Sequence, residues 1–155
     1  PRSTLFPYTT IFRSGQYTQL QYEQAAVQSV SSLYGIELLP DNTEACRRRL
    51  LDFFAEQYRS LYGDRCKAQC LASVAFLLSR NIINGDALSY KTADGSWIVV
   101  SEWSMLGKGM MNRRDYEFSY LVGDSAAPDL FSDIPCDTFP PVYFLDLNEQ
   151  AYEKR

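Results

Sequence analysis

Four carboxylates in the C-terminal half are the residues with the clearest chemical potential. Each falls in a stretch with the two-residue alternation of a β-strand, and they are Glu102, Asp115, Glu117 and Asp146. Acidic side chains on neighbouring strands can bind Mg²⁺ and support hydrolysis of a phosphodiester bond. The Lys that nucleases often place two residues after such an acid is missing, because position 104 is Ser. A metal-dependent phosphodiesterase or nuclease is therefore an alternative, since alternating acids also mark the solvent face of a sheet.

A second group of residues has the side chains needed to contact an anion. The segment GKGMMNRR at 107–114 places two glycines beside Lys108, Arg113 and Arg114. Backbone N–H groups of a glycine-rich turn can bind a phosphate together with cationic side chains. The spacing does not match the GxxxxGK[ST] phosphate-binding loop. The three cations are the best candidates for an anion contact, and binding of a nucleotide or single-stranded nucleic acid there is a further alternative. The competing interpretation is a hairpin loop whose cations balance nearby acids.

Histidine is absent, which excludes Ser–His and Cys–His catalytic pairs and imidazole metal ligands. The four cysteines, Cys46, Cys66, Cys70 and Cys136, contain no CxxC pair. Cys66 and Cys70 are four residues apart on a predicted helix, but no third ligand follows, so we interpret them as small buried side chains. We expect no metal, no cofactor and reduced thiols in a cytoplasmic protein.

Aromatic residues form the fourth group. Tyr116, Phe118 and Tyr120 alternate along one predicted strand, and Trp103 lies on the strand before it. One face of the sheet must cover the helices, so part of this set belongs to the core. Tyr and Trp side chains that remain on the open face would anchor a protein partner. These four residues are therefore the candidates for a protein-interaction surface.

The elements that position these residues follow from the hydrophobic periodicity. A 3.6-residue period predicts helices at 17–34, from a capping box at Asp41 and Glu44 to Gly63, and from Arg65 to Ile83. A two-residue period then predicts strands at 87–92, 96–103, 115–122 and 141–147, with a surface loop at 123–140. This segregated order predicts an α+β fold, with three N-terminal helices packed on one face of a four-stranded antiparallel β-meander.

The first fourteen residues, PRSTLFPYTTIFRS, have neither a helical nor a strand period. They resemble the in-frame translation of a common short-read sequencing adapter, PRSTLFPYTTLFRS, and differ from it only at Ile11. We therefore expect residues 1–14 to be non-native and poorly packed, and residues 15–155 to be a single domain truncated at its N-terminus. A truncated start also leaves a signal peptide untested. Without Arg2 and Arg13, 13 basic residues remain against 19 acidic ones.

Charge and hydropathy restrict the classes of partner that we expect for this chain. An acidic chain of pI near 4.8 lacks the basic excess typical of duplex-binding domains, and no stretch approaches 18 apolar residues. The charge therefore disfavours a nucleic-acid partner, and we expect a protein partner and no membrane. The leading hypothesis is a non-enzymatic protein-interaction module, accessory or regulatory, of microbial or phage origin.

Overall fold

The computed structural model describes residues 18–122 and 134–153. The prediction for residues 1–14 and most of the predicted 123–140 loop lie outside the described residues. Their elements are α1 (Gln19–Val30), β1 (Gly35–Glu37), α2 (Pro40–Tyr62), α3 (Ala68–Asn81), β2 (Ile82–Asn84), β3 (Val99–Met105), β4 (Met110–Glu117), α4 (Phe118–Val122) and β5 (Asp137–Tyr143). Helix and strand are thus mixed, as the α+β prediction requires.

The boundaries of the helices follow from local chemistry. At the start of α1 the Thr18 hydroxyl accepts from the Gln21 N–H at 3.2 Å, and Gln21 Oε1 accepts from the Thr18 N–H at 2.8 Å, which is a capping box. The capping box predicted at Asp41 and Glu44 does not form. Helix α2 instead begins at Pro40, whose fixed φ suits the first turn, and Gly63 ends it at a φ of 53°.

A buried carboxylate joins α1 to the other helices. Glu23 is fully buried and accepts hydrogen bonds from the Tyr58 hydroxyl, from Lys67 Nζ at 2.7 Å and from Gln19 Nε2 at 3.0 Å. Burial, and next the hydrogen bond to Glu23, raise the pKa of Tyr58. A buried carboxylate is tolerated only when it is paired and hydrogen-bonded, so this cluster fixes how α1 sits on α2 and on the turn before α3.

The main sheet is antiparallel, in the order β3-β4-β5, and in the described chain it has three strands where the sequence predicted four. Residues 87–92 form turns with isolated bridges, not a strand. The cause is local: the Asp86 carboxylate accepts from the Leu88 N–H at 2.8 Å, and Asp94 accepts from the Ser96 N–H at 3.0 Å. Such side-chain bonds to the backbone compete with the hydrogen bonds of a sheet.

The last two predicted strands, at 115–122 and 141–147, are shifted towards the N-terminus in the structure. Strand β4 begins at Met110, five residues before the predicted start, and its predicted end forms α4 instead. Strand β5 includes both Pro140 and Pro141. The sequence pattern placed Pro140 at the end of a loop and Pro141 at the start of a strand. Proline lacks a backbone N–H, and the position of β5 at the end of the described sheet tolerates this loss.

A second, two-stranded parallel sheet was not predicted. It pairs β1 with β2 in the register Gly35↔Ile82, Ile36↔Ile83 and Glu37↔Asn84. The Arg47 guanidinium reinforces it by donating to the Ile82 carbonyl from Nε at 2.9 Å and from Nη2 at 2.6 Å. Strands of three residues carry too little periodicity to be recognised in a sequence.

Helix α3 lies at the centre and contacts α1, α2 and β3. Its apolar side chains pack with residues of the sheet and of the segment that follows β5. The buried residues of this core include Val74, Leu77 and Leu78 of α3, Met111 of β4, and Phe144 after β5. Across 18–122 and 134–153, no helix combines the length and apolar character that crossing a membrane requires.

We predict that Gly109→Ala lowers the free energy of unfolding by about 1–3 kcal/mol. Gly109 has a φ of 74°, and a Cβ there would lie 2.9 Å from both Gln24 Nε2 and Tyr143 Cε2. Urea denaturation of both variants measures the effect. Gly107→Ala is the matched control, because a Cβ at Gly107 meets nothing within 4 Å. Equal losses from the two substitutions would contradict the packing explanation.

Candidate protein-interaction surface

The register of β3 on β4 divides the predicted site residues between the two faces of the sheet. Glu102 lies opposite Arg114, and Ser101 lies opposite Asp115. Ser101 and Asp115 are buried, whereas Glu102 and Arg114 are exposed. We call the side that carries Glu102 the outer face and the side that packs on α3 the inner face. Neighbouring residues of a strand point to opposite faces, so each group of candidates is split.

The inner face holds a buried ion pair. Arg113 Nε donates to Asp115 Oδ1 at 2.8 Å, and Arg113 Nη2 donates to Asp115 Oδ2 at 2.7 Å. The Ser101 hydroxyl donates to the same carboxylate at 2.7 Å. Aromatic rings surround the Arg113 guanidinium carbon, with centroids at 4.3 Å for Phe139, 5.0 Å for Tyr152 and 5.5 Å for Trp103. Arg113 is therefore held by a carboxylate and by cation–π contacts.

Trp103 is part of the same buried layer. Its Nε1 donates to Asn81 Oδ1 at 2.9 Å, and Asn81 Nδ2 donates to the Ser31 carbonyl at 3.0 Å. This chain of bonds connects β3 to α3 and to the end of α1. The structure thus places Trp103 in the core, whereas Tyr116 lies on the outer face.

The three cations predicted to contact an anion are not brought together. Lys108 is exposed in the turn Gly107–Gly109 between β3 and β4, and Arg113 is buried in the ion pair just described. Arg114 lies on the outer face, where its Nη2 is 3.1 Å from Glu102 Oε2. Because the segment 110–114 is a strand and not a loop, Arg113 and Arg114 point in opposite directions.

The four carboxylates are also separated. Glu102 is on the outer face and Asp115 is on the inner face; Glu117 accepts from the Ser119 hydroxyl at 2.5 Å, and Asp146 is exposed after β5. Within 18–122 and 134–153, no group of three Asp, Glu, Cys or His residues could hold a metal ion. The geometry that a two-carboxylate metal site requires is not found for Glu102 and Asp115.

The cysteines are all free thiols. Cys66 lies in the turn before α3, not on the helix with Cys70 as the spacing predicted. Cys70 is fully buried, and this burial, followed by the charge of Glu23, raises the pKa of its thiol to about 12. A protonated, inaccessible thiol is neither a nucleophile nor a metal ligand.

The outer face of the sheet carries a groove of about 540 Å³. It is lined by Tyr34, Val100, Ser101, Glu102, Arg114, Tyr116 and Leu121. The Tyr34 hydroxyl donates to the Ser101 carbonyl at 2.7 Å, and the Tyr116 hydroxyl donates to Glu102 Oε2 at 3.1 Å. Burial, and next the charge of Glu102, raise the pKa of Tyr34. Both tyrosines therefore have their hydroxyls fixed and offer ring surface to the groove.

Helix α4 contributes Leu121 to the lining of this groove, and its last three side chains are exposed. Tyr120, Leu121 and Val122 are consecutive and 54%, 50% and 46% exposed. Phe118, at the start of α4, is half-buried and packs edge-on against Tyr90 with ring centroids 5.7 Å apart. The sequence identified Tyr116 and Tyr120, whereas Tyr34 and Leu121 were missed because only the folded chain brings them beside β3 and β4.

We predict that Asp115→Asn lowers the free energy of unfolding by about 3 kcal/mol or more, because it leaves the buried Arg113 guanidinium without a counter-charge. Glu102→Gln is the matched control, because it makes the same chemical change in the exposed pair with Arg114, and it should cost at most about 1 kcal/mol. Urea denaturation monitored by Trp fluorescence gives both values. Similar losses would show that the Arg113–Asp115 pair is not a buried one.

We also predict that stability falls as the pH rises above 9, the ordinary pKa of a thiol. Because the pKa of Cys70 is raised in the folded state to about 12, its contribution is complete below pH 9 and is lost as pH approaches 12. Cys70→Ala should reduce the loss between pH 9 and 10.5 by about 1 kcal/mol per pH unit. Cys46→Ala, at a partly exposed thiol, is the control for the loss of a thiol side chain.

Comparisons of the chain with protein-family models, with curated proteins and with solved structures found no match. Its function is therefore inferred from the geometry of the described residues.

Proposed function

We propose that this chain is a non-enzymatic protein-interaction module whose partner binds the groove on the outer face of the sheet. The observation that supports the proposal is the half-exposed Leu121 of α4, which lines a groove floored by β3 and β4 and has the exposed Tyr120 and Val122 as its chain neighbours. Contiguous exposed apolar surface beside polar groups is typical of binding sites on soluble proteins. The free thiols fit an accessory role in the cytoplasm.

The chemistry of the groove suits a peptide or protein surface. Rings of Tyr34 and Tyr116 provide rigid contact area, since their hydroxyls are already bonded to Ser101 and Glu102. Tyrosines of this kind are enriched among residues that contribute most to binding. A partner with one apolar side chain for Leu121 and a polar group for the floor fits this arrangement.

The ion pair Arg114–Glu102 supplies polar specificity. Its side chains are 45% and 50% exposed, so each can exchange its neighbour for a charge on the partner at little cost. Charges at the edge of an interface act mainly on partner choice and association rate. The groove is favoured over the nuclease alternative because Glu102 and Asp115 lie on opposite faces of the sheet.

The proposal predicts that peptides selected for binding to the wild-type chain depend on Leu121. A random peptide library displayed on phage is panned against the wild type, and the enriched peptides are synthesised. Their Kd, measured by isothermal titration calorimetry, should rise at least about tenfold for Leu121→Asp, equivalent to about 1.4 kcal/mol of binding energy.

Leu61→Asp is the matched control, because Leu61 is a similarly exposed leucine, 45% against 50%, on α2 and away from the groove. It should leave the Kd unchanged. Thermal unfolding establishes that both variants are folded before the comparison. The proposal is wrong if no peptide is enriched, or if Leu121→Asp and Leu61→Asp change the Kd equally.

A further inference from the structure

The geometry points to a second site, on the inner face of the sheet, where Arg80 and Tyr152 bind an oxyanion beside the charge of Arg113. We propose that this site takes the carboxylate or phosphate group of a small ligand. It lies between α3, strand β4 and the 3-10 turn Gln150–Tyr152, on the opposite side of the sheet from the groove. It is independent of the proposed protein-interaction function.

Two guanidinium groups share one carboxylate here. Arg113 Nη2 is 2.7 Å from Asp115 Oδ2, and Arg80 Nη2 is 3.7 Å from the same oxygen. The second distance is beyond hydrogen-bonding range, so Asp115 is fully engaged by Arg113 and only partly neutralises Arg80. Arg80 therefore lacks the close carboxylate contact that Arg113 has.

The electrostatics of Arg80 show how its charge is opposed and supported. Burial, and next the charge of Arg113, lower the pKa of Arg80, while Asp115 and Glu149 act in the opposite direction. An anion bound beside Arg80 would offset both unfavourable contributions. Lys108 and Arg114, predicted from the sequence as anion contacts, do not belong to this cluster, whereas Arg113 does.

Two buried polar atoms in the cluster have no hydrogen-bond partner among residues 18–122 and 134–153. They are Arg80 Nε and the Tyr152 hydroxyl oxygen. Tyr152 is 7% exposed, and its ring is fixed by stacking on Phe76 at 5.6 Å, so the hydroxyl is held in place without a partner. A buried donor without an acceptor is unfavourable, and an oxyanion supplies acceptors to both. Nε and Nη2 of Arg80 form the fork that binds carboxylate and phosphate side-on.

Shared neighbours link Arg80 and Tyr152. Phe76 precedes Arg80 by one turn of α3, and the Tyr152 ring that stacks on Phe76 also lies 5.0 Å from the Arg113 guanidinium carbon. About a third of the Arg80 side chain is exposed, 32%, which provides the side from which an anion can approach. The site is thus closed by aromatic rings on one side and reached along Arg80 on the other.

The test uses sodium phosphate and sodium acetate, each compared with sodium chloride at the same ionic strength. Thermal unfolding of the wild type should show a rise in Tm of about 3 °C when the anion concentration is about ten times its Kd. A response to phosphate alone identifies a phosphate ligand, a response to acetate alone identifies a carboxylate ligand, and either supports the site. Isothermal titration calorimetry with the same salt gives the Kd directly.

Four variants assign the response. Arg80→Gln should abolish it, and Tyr152→Phe should weaken it while leaving Tm without anion equal to or above that of the wild type, because the unpartnered hydroxyl is gone. Arg49→Gln, at an exposed arginine on α2, and Leu121→Asp, in the groove, should respond like the wild type. The proposal is overturned if neither salt exceeds chloride, or if the Tyr152→Phe and Arg80→Gln variants respond fully. Should Arg80→Gln fail to fold, Tyr152→Phe decides the question alone, since it removes a single oxygen atom.

Discussion

The buried pair of Arg113 and Asp115 constrains the rest of the sheet. A guanidinium removed from water is tolerated only when a carboxylate and further hydrogen bonds replace the solvent, and here Asp115 and Ser101 provide them. Because side chains of a strand alternate, a slip of one residue would move Arg113 and Asp115 to the outer face. Arg114 would then be buried without Asp115 beside it. The pair therefore specifies the register of β4 more strongly than the apolar residues around it.

The composition of the outer face is a consequence of that register. Ser101, Arg113 and Asp115 have their side chains on the inner face. Because side chains alternate along a strand, Glu102, Arg114 and Tyr116 must then lie on the outer face. An exposed ion pair contributes at most about 1 kcal/mol to stability, so the fold has little need of Glu102 and Arg114. Their place beside half-exposed apolar residues of α4 is better explained by contact with a partner than by a role in folding.

Sequence reasoning could predict the helices because α2 and α3 are long and their apolar residues recur with a 3.6-residue period. It failed on strand boundaries for local reasons: Asp86 and Asp94 form turns where alternation suggested a hairpin, and Pro140 is tolerated because β5 ends the described sheet. The site was only partly predictable. Tyr116 and Glu102 were recognised by residue type, but their shared face depends on cross-strand pairing, which composition and spacing do not contain.

The same limit explains why Arg113 was interpreted from the sequence as a cation in a loop. Its neighbours Gly107 and Gly109 suggested a phosphate-binding turn, yet the turn ends at Gly109 and β4 begins at once. Nothing local in the sequence signals that an arginine will be enclosed by Phe139 and Tyr152, which lie 26 and 39 residues further along. Long-range contacts of this kind decide which charged residues are buried, and therefore which remain available for binding.

Tyr34, in the segment between α1 and β1, restricts how a partner could bind the proposed groove. Strand β3 is at one end of the described sheet, where an exposed backbone could pair with a strand from another protein. The Tyr34 hydroxyl occupies the Ser101 carbonyl at this edge, so addition of a strand there would have to displace it. Recognition through side chains placed across the groove, between Tyr34 and Leu121, requires no such displacement. The link between α1 and β1 thus covers the sheet edge and at the same time supplies one side of the proposed binding surface.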